Sequence, residues 1–240
     1  MNDAIENWAD IEIKTIDLKD KRLKKRCCRL LELFINRPNK SIPSACKAWS
    51  DTKAAYRFCD NVKVSEAEIL HAHFNATTER IKQEKVILFP QDTTEIDLTS
   101  KKHTTNLGHI GQHEKRKGFY LHPTLAITPD RVCLGVVHTK MWTCETFGIK
   151  TTHKTRKIEE KESIRWLESF QAVKELGKQI PDILCINIAD REGDIYEFFL
   201  ETSDMQEDGN HNVHWLIRSA QDRLTTDHSK LWESPLCQRQ

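Results

Sequence analysis

The chain has 240 residues, 30% of them charged, and a net charge of +1. That length accommodates one good core and a smaller second domain, and the near-neutral balance excludes a polyanion-binding role for the chain as a whole, leaving a local basic patch as the route to one. A mean hydropathy of −0.62 without any long apolar run excludes a transmembrane helix. Residues 1–10 hold three acids and no apolar stretch, so they are no secretory signal. Cysteines stand at 27, 28, 46, 59, 133, 144, 185 and 237 with no Cys-x-x-Cys spacing. They read as reduced thiols in a cytoplasmic protein, not as a zinc site.

In chain order, the first feature is basic. Between residues 14 and 40 there are ten Lys or Arg against three acids. Leu23, Cys27, Leu30, Leu31 and Phe34 recur at helical spacing and make one apolar face, while Arg22, Arg26 and Arg29 line a neighbouring stripe. Pro38 ends this helix, because the residue before proline avoids the α region. Two short helices follow over about 42–49 and 52–60, with Asp51 as N-cap of the second. Ser65 and Glu68 form a capping box that opens a helix running to about residue 82. Residues 1–82 are thus expected to be a small all-α module with a concentrated basic face, suited to a phosphate backbone. Lys53, Tyr56 and Arg57, after the helix–turn–helix-like break, are candidates for backbone contact alongside the arginine stripe.

From residue 85 the period changes. Residues 85–89 read as a buried strand ending at Pro90 and Asp92, followed by a polar loop through Gly118. Residues 119–128 and 132–139 read as an antiparallel hairpin, with Pro129-Asp130 as the turn. A helix is expected over 156–177 with Gly177 as its stop. A buried strand over 182–188 delivers Asp190, a helix follows over 193–200, and a strand over 214–218 ends at Arg218. The order of elements is that of an RNase H-like mixed sheet, so 83–240 is expected to be an α/β core of that type. In that topology the first and fourth of these strands are neighbours, and Asp92 and Asp190 face each other at their ends. Two carboxylates so placed suit a hard divalent cation such as Mg²⁺, which carries the load in phosphodiester chemistry.

Several motifs in this order resemble one family. They are Trp8-Ala9, Leu18-Lys19-Asp20-Lys21-Arg22, Arg26, Ser44, and Lys53-Ala-Ala-Tyr56-Arg57-Phe58 with Asn61. In the second part they are Asp92-Thr93-Thr94, Leu107-Gly108, Gly118-Phe119 with Leu121-His122, Ala189-Asp190-Arg191-Glu192 with Asp194-Ile195, and Ile217-Arg218-Ser219. The chain resembles the cut-and-paste DDE transposases of bacterial insertion sequences, over nearly its whole length. The resemblance implies double-stranded transposon-end DNA as partner and Mg²⁺, with Mn²⁺ as a substitute, as cofactor. It implies that Asp92 and Asp190 are two of three catalytic and metal-ligating acids, and that Arg218 faces the bound DNA. The third acid of the family, a Glu in a Tyr-x-x-Arg-x-x-x-Glu signature, has no counterpart in the 240 residues, and Lys19 stands where the family has a tight Gly. The expectation is therefore a C-terminally truncated core, without the dimerisation region that makes the complete family homodimeric. Such a chain is cytoplasmic and nucleoid-associated, binds DNA, and cleaves it poorly or not at all. A non-catalytic fragment that competes with intact transposase and a stand-alone metal-dependent nuclease are the rival readings.

Other acids and histidines are weaker candidates. Strand alternation turns Asp97 away from the face of Asp92, and Glu192 and Asp194 read as first-turn acids of the following helix. Glu233 has nothing helical around it. His71 and His73 do not share a helix face. His109 and His113 lie in a glycine-rich loop, and His122 reads as a structural hydrogen-bonding residue.

Overall fold

The computed structural model describes residues 7–111, 113–144, 162–203, 211–225 and 228–233. Two compact units make up the chain, Met1–Gln83 and Glu84–Gln240.

The first unit is helical: α1 (Trp8–Glu12), α2 (Lys21–Ile35), α3 (Ile42–Cys46), α4 (Trp49–Cys59) and α5 (Glu66–Ile81). Asp20 caps α2, its carboxylate accepting a 2.8 Å hydrogen bond from the Arg22 backbone. The preceding Lys19 has φ of 53°, a left-handed conformation that glycine adopts without penalty, which is the physical sense of a glycine at that place. The anticipated apolar face of α2 packs inward: Cys27 and Leu30 are buried, and Leu23, Leu31 and Phe34 pack against the same core. Burial raises the Cys27 thiol to about 11, so it stays protonated. The cysteines within the described residues are all free thiols.

Two caps differ from expectation. Ala48, not Asp51, is the N-cap of α4, and Asp51 sits in the first turn, where its charge still suits the helix dipole. Ser65 is the N-cap of α5 but makes no side-chain cap bond. The α1 segment, five residues long and too short to show a period, was not anticipated; it is tied to α5 through Glu12, which accepts from His73 and, at 2.7 Å, from Arg80. Burial alone would raise the Glu12 carboxyl, but hydrogen bonds from His73 and Arg80, with their charges, outweigh it and hold it at about 2.

The second unit is α/β: β1 (Val86–Pro90), β2 (Thr94–Asp97), β3 (Gly108–His109), β4 (Lys117–Ile127), β5 (Cys133–Trp142), α6 (Ile164–Gln179), β6 (Leu184–Ala189), α7 (Tyr196–Ser203) and β7 (Val213–Ile217). Its mixed sheet runs β2-β4-β1-β6-β7, with β3 and β5 also paired to β4. β1, β6 and β7 are parallel, while β4 runs antiparallel to β1. The β4–β5 hairpin agrees with the sequence pattern; β2 and β3 depart from it, because their residues carry the pattern of a polar loop. Gly118 explains how they fit. It pairs with both Asp97 and Gly108, and a Cβ there would lie 2.0 Å from the Ile96 carbonyl oxygen.

One sheet face is covered by α6. Trp166, Phe170 and Val173 of the helix and Ile87, Phe89 and Cys185 of the strands are fully buried. Phe170 also meets Phe198 of α7 at 4.5 Å between ring centroids. Each such large apolar side chain contributes roughly 1.5–3 kcal/mol by leaving water, so this layer fixes β1 and β6 as one rigid pair. Gly177 does not stop α6 but lies within it, where a Cβ would sit 2.3 Å from Val213 Cγ2. The part of the expected helix over 156–161 lies outside the described residues.

Candidate nucleic-acid interface and acidic strand ends

In the first unit, α2 and α4 present cations to a common groove of about 670 Å³. Arg22, Arg26, Lys53 and Arg57 line it, with Ser50 and Asn61. Lys53 and Arg57 are one helical turn apart on α4 and exposed. Among the described residues neither forms an ion pair, so both keep their charge for an outside anion. The arginines of α2 differ from one another. Arg22 folds back on its own cap, Asp20, at 3.2 Å. Arg26 and Arg29 reach Asp51 of α4 at 3.2 and 3.5 Å, so they join the two helices. Arg29 lines the adjoining groove of about 920 Å³, with Lys21, Lys24 and Lys25. Tyr56 is 47% exposed and is no part of the core.

In the second unit the register places the acids. Parallel pairing of β1 with β6 ends at Pro90 opposite Ile188, and the Gln91 N–H donates to the Ile188 carbonyl at 3.0 Å. Asp92 and Asp190 each come two residues beyond that pair, so the two acids follow the C-terminal ends of adjacent parallel strands. β6 pairs with β7 up to Ala189 opposite Ile217, and the Arg218 N–H donates to the Ala189 carbonyl at 3.1 Å. Arg218 therefore stands beside Asp190, and it is exposed. Asp92, Asp190 and Arg218 thus follow the C-terminal ends of three neighbouring parallel strands.

Both carboxylates are exposed, and each spends one oxygen locally. Asp92 Oδ1 accepts from the Thr93 N–H at 2.7 Å, and Asp190 Oδ1 accepts from the Glu192 N–H at 2.8 Å. The Oδ2 atoms have no partner among the described residues. An all-oxygen pair with one unengaged oxygen each fits a hard divalent cation as two of its ligands, the remaining positions being ones that Mg²⁺ commonly leaves to water or phosphate. Among the described residues no group of three or more His, Cys, Asp or Glu side chains could hold a metal.

The residues around the acids are more built than the sequence shows. His122 is fully buried, between Thr93 Oγ1 at 2.8 Å and Gln91 Oε1 at 3.0 Å. Burial, helped by the charge of Arg165, pushes the imidazole down to about 3, so it is neutral. This is the structural hydrogen-bonding histidine expected from the motif. Arg165, missed from the sequence, donates to Thr93 and to Glu192 and lies between the rings of Trp142 and Trp166. No signal marks it in the sequence: it opens a helix beside a charged stretch, where an arginine ordinarily reads as solvated. Asp194 is likewise not a plain first-turn acid. Its carboxylate is 1% exposed and gathers the Ala220 and Gln221 N–H groups and the Arg223 guanidinium, which fixes the turn just past Arg218. Asp97 is bound by Arg116 at 3.1 Å together with Glu95.

Residues 5–64 match the family model described as transposase DNA-binding. The first unit thus carries a transposase DNA-binding domain. DNA is its partner, and the groove between α2 and α4 lies wholly within the matched residues. No curated protein matches the chain. No helix among the described residues is long and apolar enough to cross a membrane.

Proposed function

We propose that the chain belongs to a DNA transposase of the cut-and-paste insertion-sequence type. In this reading the first unit binds double-stranded transposon-end DNA through the α2–α4 groove, with Lys53 and Arg57 as principal phosphate contacts and Arg22, Arg26, Arg29 and Tyr56 at its margins. The second unit is an RNase H-like core in which Asp92 and Asp190 are the catalytic metal ligands. The observation that carries the reading is the register: matching positions on adjacent parallel strands end in Asp, Asp and Arg, while a transposase DNA-binding domain occupies the same chain.

The chemistry assigned to each residue follows from its place. Asp92 and Asp190 would hold Mg²⁺, or Mn²⁺ in its stead, each carboxylate having one oxygen that the local backbone leaves unengaged. The ion would supply Lewis-acid activation for phosphodiester hydrolysis and strand transfer. Arg218, one strand away, neutralises a DNA phosphate and holds it in line with the acids. Asp194 keeps that arginine's backbone fixed by anchoring residues 220–223. The homodimer is a property proposed for the complete family architecture.

Incubation of the chain with end-containing duplex and Mg²⁺ or Mn²⁺ tests this reading. The expected result is a saturable mobility shift, with any cleavage abolished by Asp92→Ala. Cleavage that survives Asp92→Ala would overturn the assignment of that acid; absence of any duplex binding at low salt would overturn the transposase reading.

A further inference from the structure

The polar contacts around Asp92 run in one direction. An arginine Nε can only donate, so at 2.8 Å Arg165 gives its proton to Thr93 Oγ1. At the other end Gln91 Oε1 can only accept, so a neutral His122 carries its proton on Nε2 and donates to it at 3.0 Å. His122 Nδ1 is then the acceptor, and the Thr93 hydroxyl donates to it at 2.8 Å. Gln91 Nε2 passes the series on to Asn187 Oδ1 of β6 at 3.1 Å. Each hydrogen bond in this run has the same polarity, the arrangement in which successive hydrogen bonds strengthen one another, and the run ends at Asn187, whose buried Nδ2 has no partner among the described residues.

Its position is what matters. Gln91 and Thr93 are the residues on either side of Asp92. The other arm of Arg165, Nη2, donates at 2.7 Å to Glu192, two residues past Asp190. The Arg165 side chain is only 11% exposed; its guanidinium carbon sits 5.5 and 5.7 Å from the ring centroids of Trp142 and Trp166, and Nη1 donates to the Glu162 carbonyl at 2.8 Å. Removing such a charge from water is costly, and an aliphatic side chain would fill the slot between the indoles without that cost. The planar fork of arginine is needed because it reaches two different loops at fixed angles.

We propose that Arg165 is a positioning residue: through Thr93 on one side and Glu192 on the other it locks the two turns that carry Asp92 and Asp190, so that both carboxylates are held at one spacing before any ligand arrives. The proposal rests on the reading of those acids as a shared metal site, but the lock itself exists without metal. The acids bind nothing from Arg165 directly; they are held through their neighbours, as outer residues hold metal ligands elsewhere.

The test uses the full chain and two readouts. The first is amide hydrogen exchange of Thr93 and Glu192 in metal-free protein, since these two N–H groups donate to Asp92 and Asp190. The second is Mn²⁺ affinity by electron paramagnetic resonance. Arg165→Gln, Thr93→Val and Glu192→Gln are compared with Asp92→Asn; Glu192 is 63% exposed, so its variant keeps the test alive if Arg165→Gln fails to fold. Expected are faster exchange at both amides with unchanged exchange in α5, and Mn²⁺ binding weakened by about tenfold or more. Combining Thr93→Val with Glu192→Gln should cost less than the product of the single effects, because both cut the same lock. Unchanged exchange in Arg165→Gln, or in Glu192→Gln where the former does not fold, overturns the proposal. Faster exchange with Mn²⁺ binding that Asp92→Asn does not reduce leaves the lock standing and overturns the metal reading instead.

Discussion

Replacing Lys53 and Arg57 together with alanine is expected to weaken duplex binding on the order of 10- to 100-fold at moderate salt and to lower the slope of log affinity against log salt by about 2. The two side chains are exposed, one turn apart on α4, and unpaired among the described residues, so each can neutralise one phosphate and release its counterion. The arginine stripe of α2 gives a contrasting result. Arg26 and Arg29 already face Asp51, and a phosphate must compete with that carboxylate before it gains either of them. Arg29→Ala alone is therefore expected to change the salt slope by less than Arg57→Ala alone. Fluorescence anisotropy of labelled duplex across a salt series measures all of these. Equal slopes for the double variant and the unaltered chain would remove α4 from the interface.

Acid is expected to destabilise the second unit before the first. His122 titrates near 6.5 when unfolded and is pushed to about 3 by burial and the nearby Arg165 charge. The unfolded chain thus binds the proton first. The stability that His122 contributes is whole above pH 6.5 and is lost as pH falls toward 3, by up to about 1.4 kcal/mol per pH unit. His138, also held below its ordinary value by burial, acts in the same direction. In the first unit Glu12 moves from 4.5 to about 2, so its contribution is intact above 4.5 and falls only below that. Denaturant unfolding followed by tryptophan emission reads the second unit well, because Trp166 packs edge-on against His122 at 4.7 Å. Between pH 6.5 and 5 the midpoint of that transition should fall in the unaltered chain and fall less in His122→Gln. A midpoint equally pH-dependent in both would show that His122 is not the titrating group.

Elements whose residues face one core were legible in the sequence. The period of α2, the apolar run of β1 and the apolar run of β6 that precedes Asp190 all follow from burial, which composition records directly. Asp92 and Asp190 are marked as candidates because each follows such a run, and Arg218 through the resemblance alone. What was not legible depends on partners far along the chain. β2 reads Thr-Glu-Ile-Asp and is mostly exposed, so its strand state comes from pairing with β4, not from its own pattern. Gly177 looks like a helix stop until Val213 is brought against it. Asp51 looks like a cap until Arg26 and Arg29 are seen to claim it. Arg165 looks like a surface charge until Thr93, Glu192 and Trp142, from three other segments, close around it beside its neighbour Trp166.

On the proposed reading Asp92 and Asp190 hold one divalent ion between them. Titration of Mn²⁺ into the full chain, with bound ion followed by electron paramagnetic resonance, should find a site that Asp92→Asn and Asp190→Asn each abolish, with the double variant no different from either single one. Binding that survives in either single variant at the unaltered affinity would contradict it.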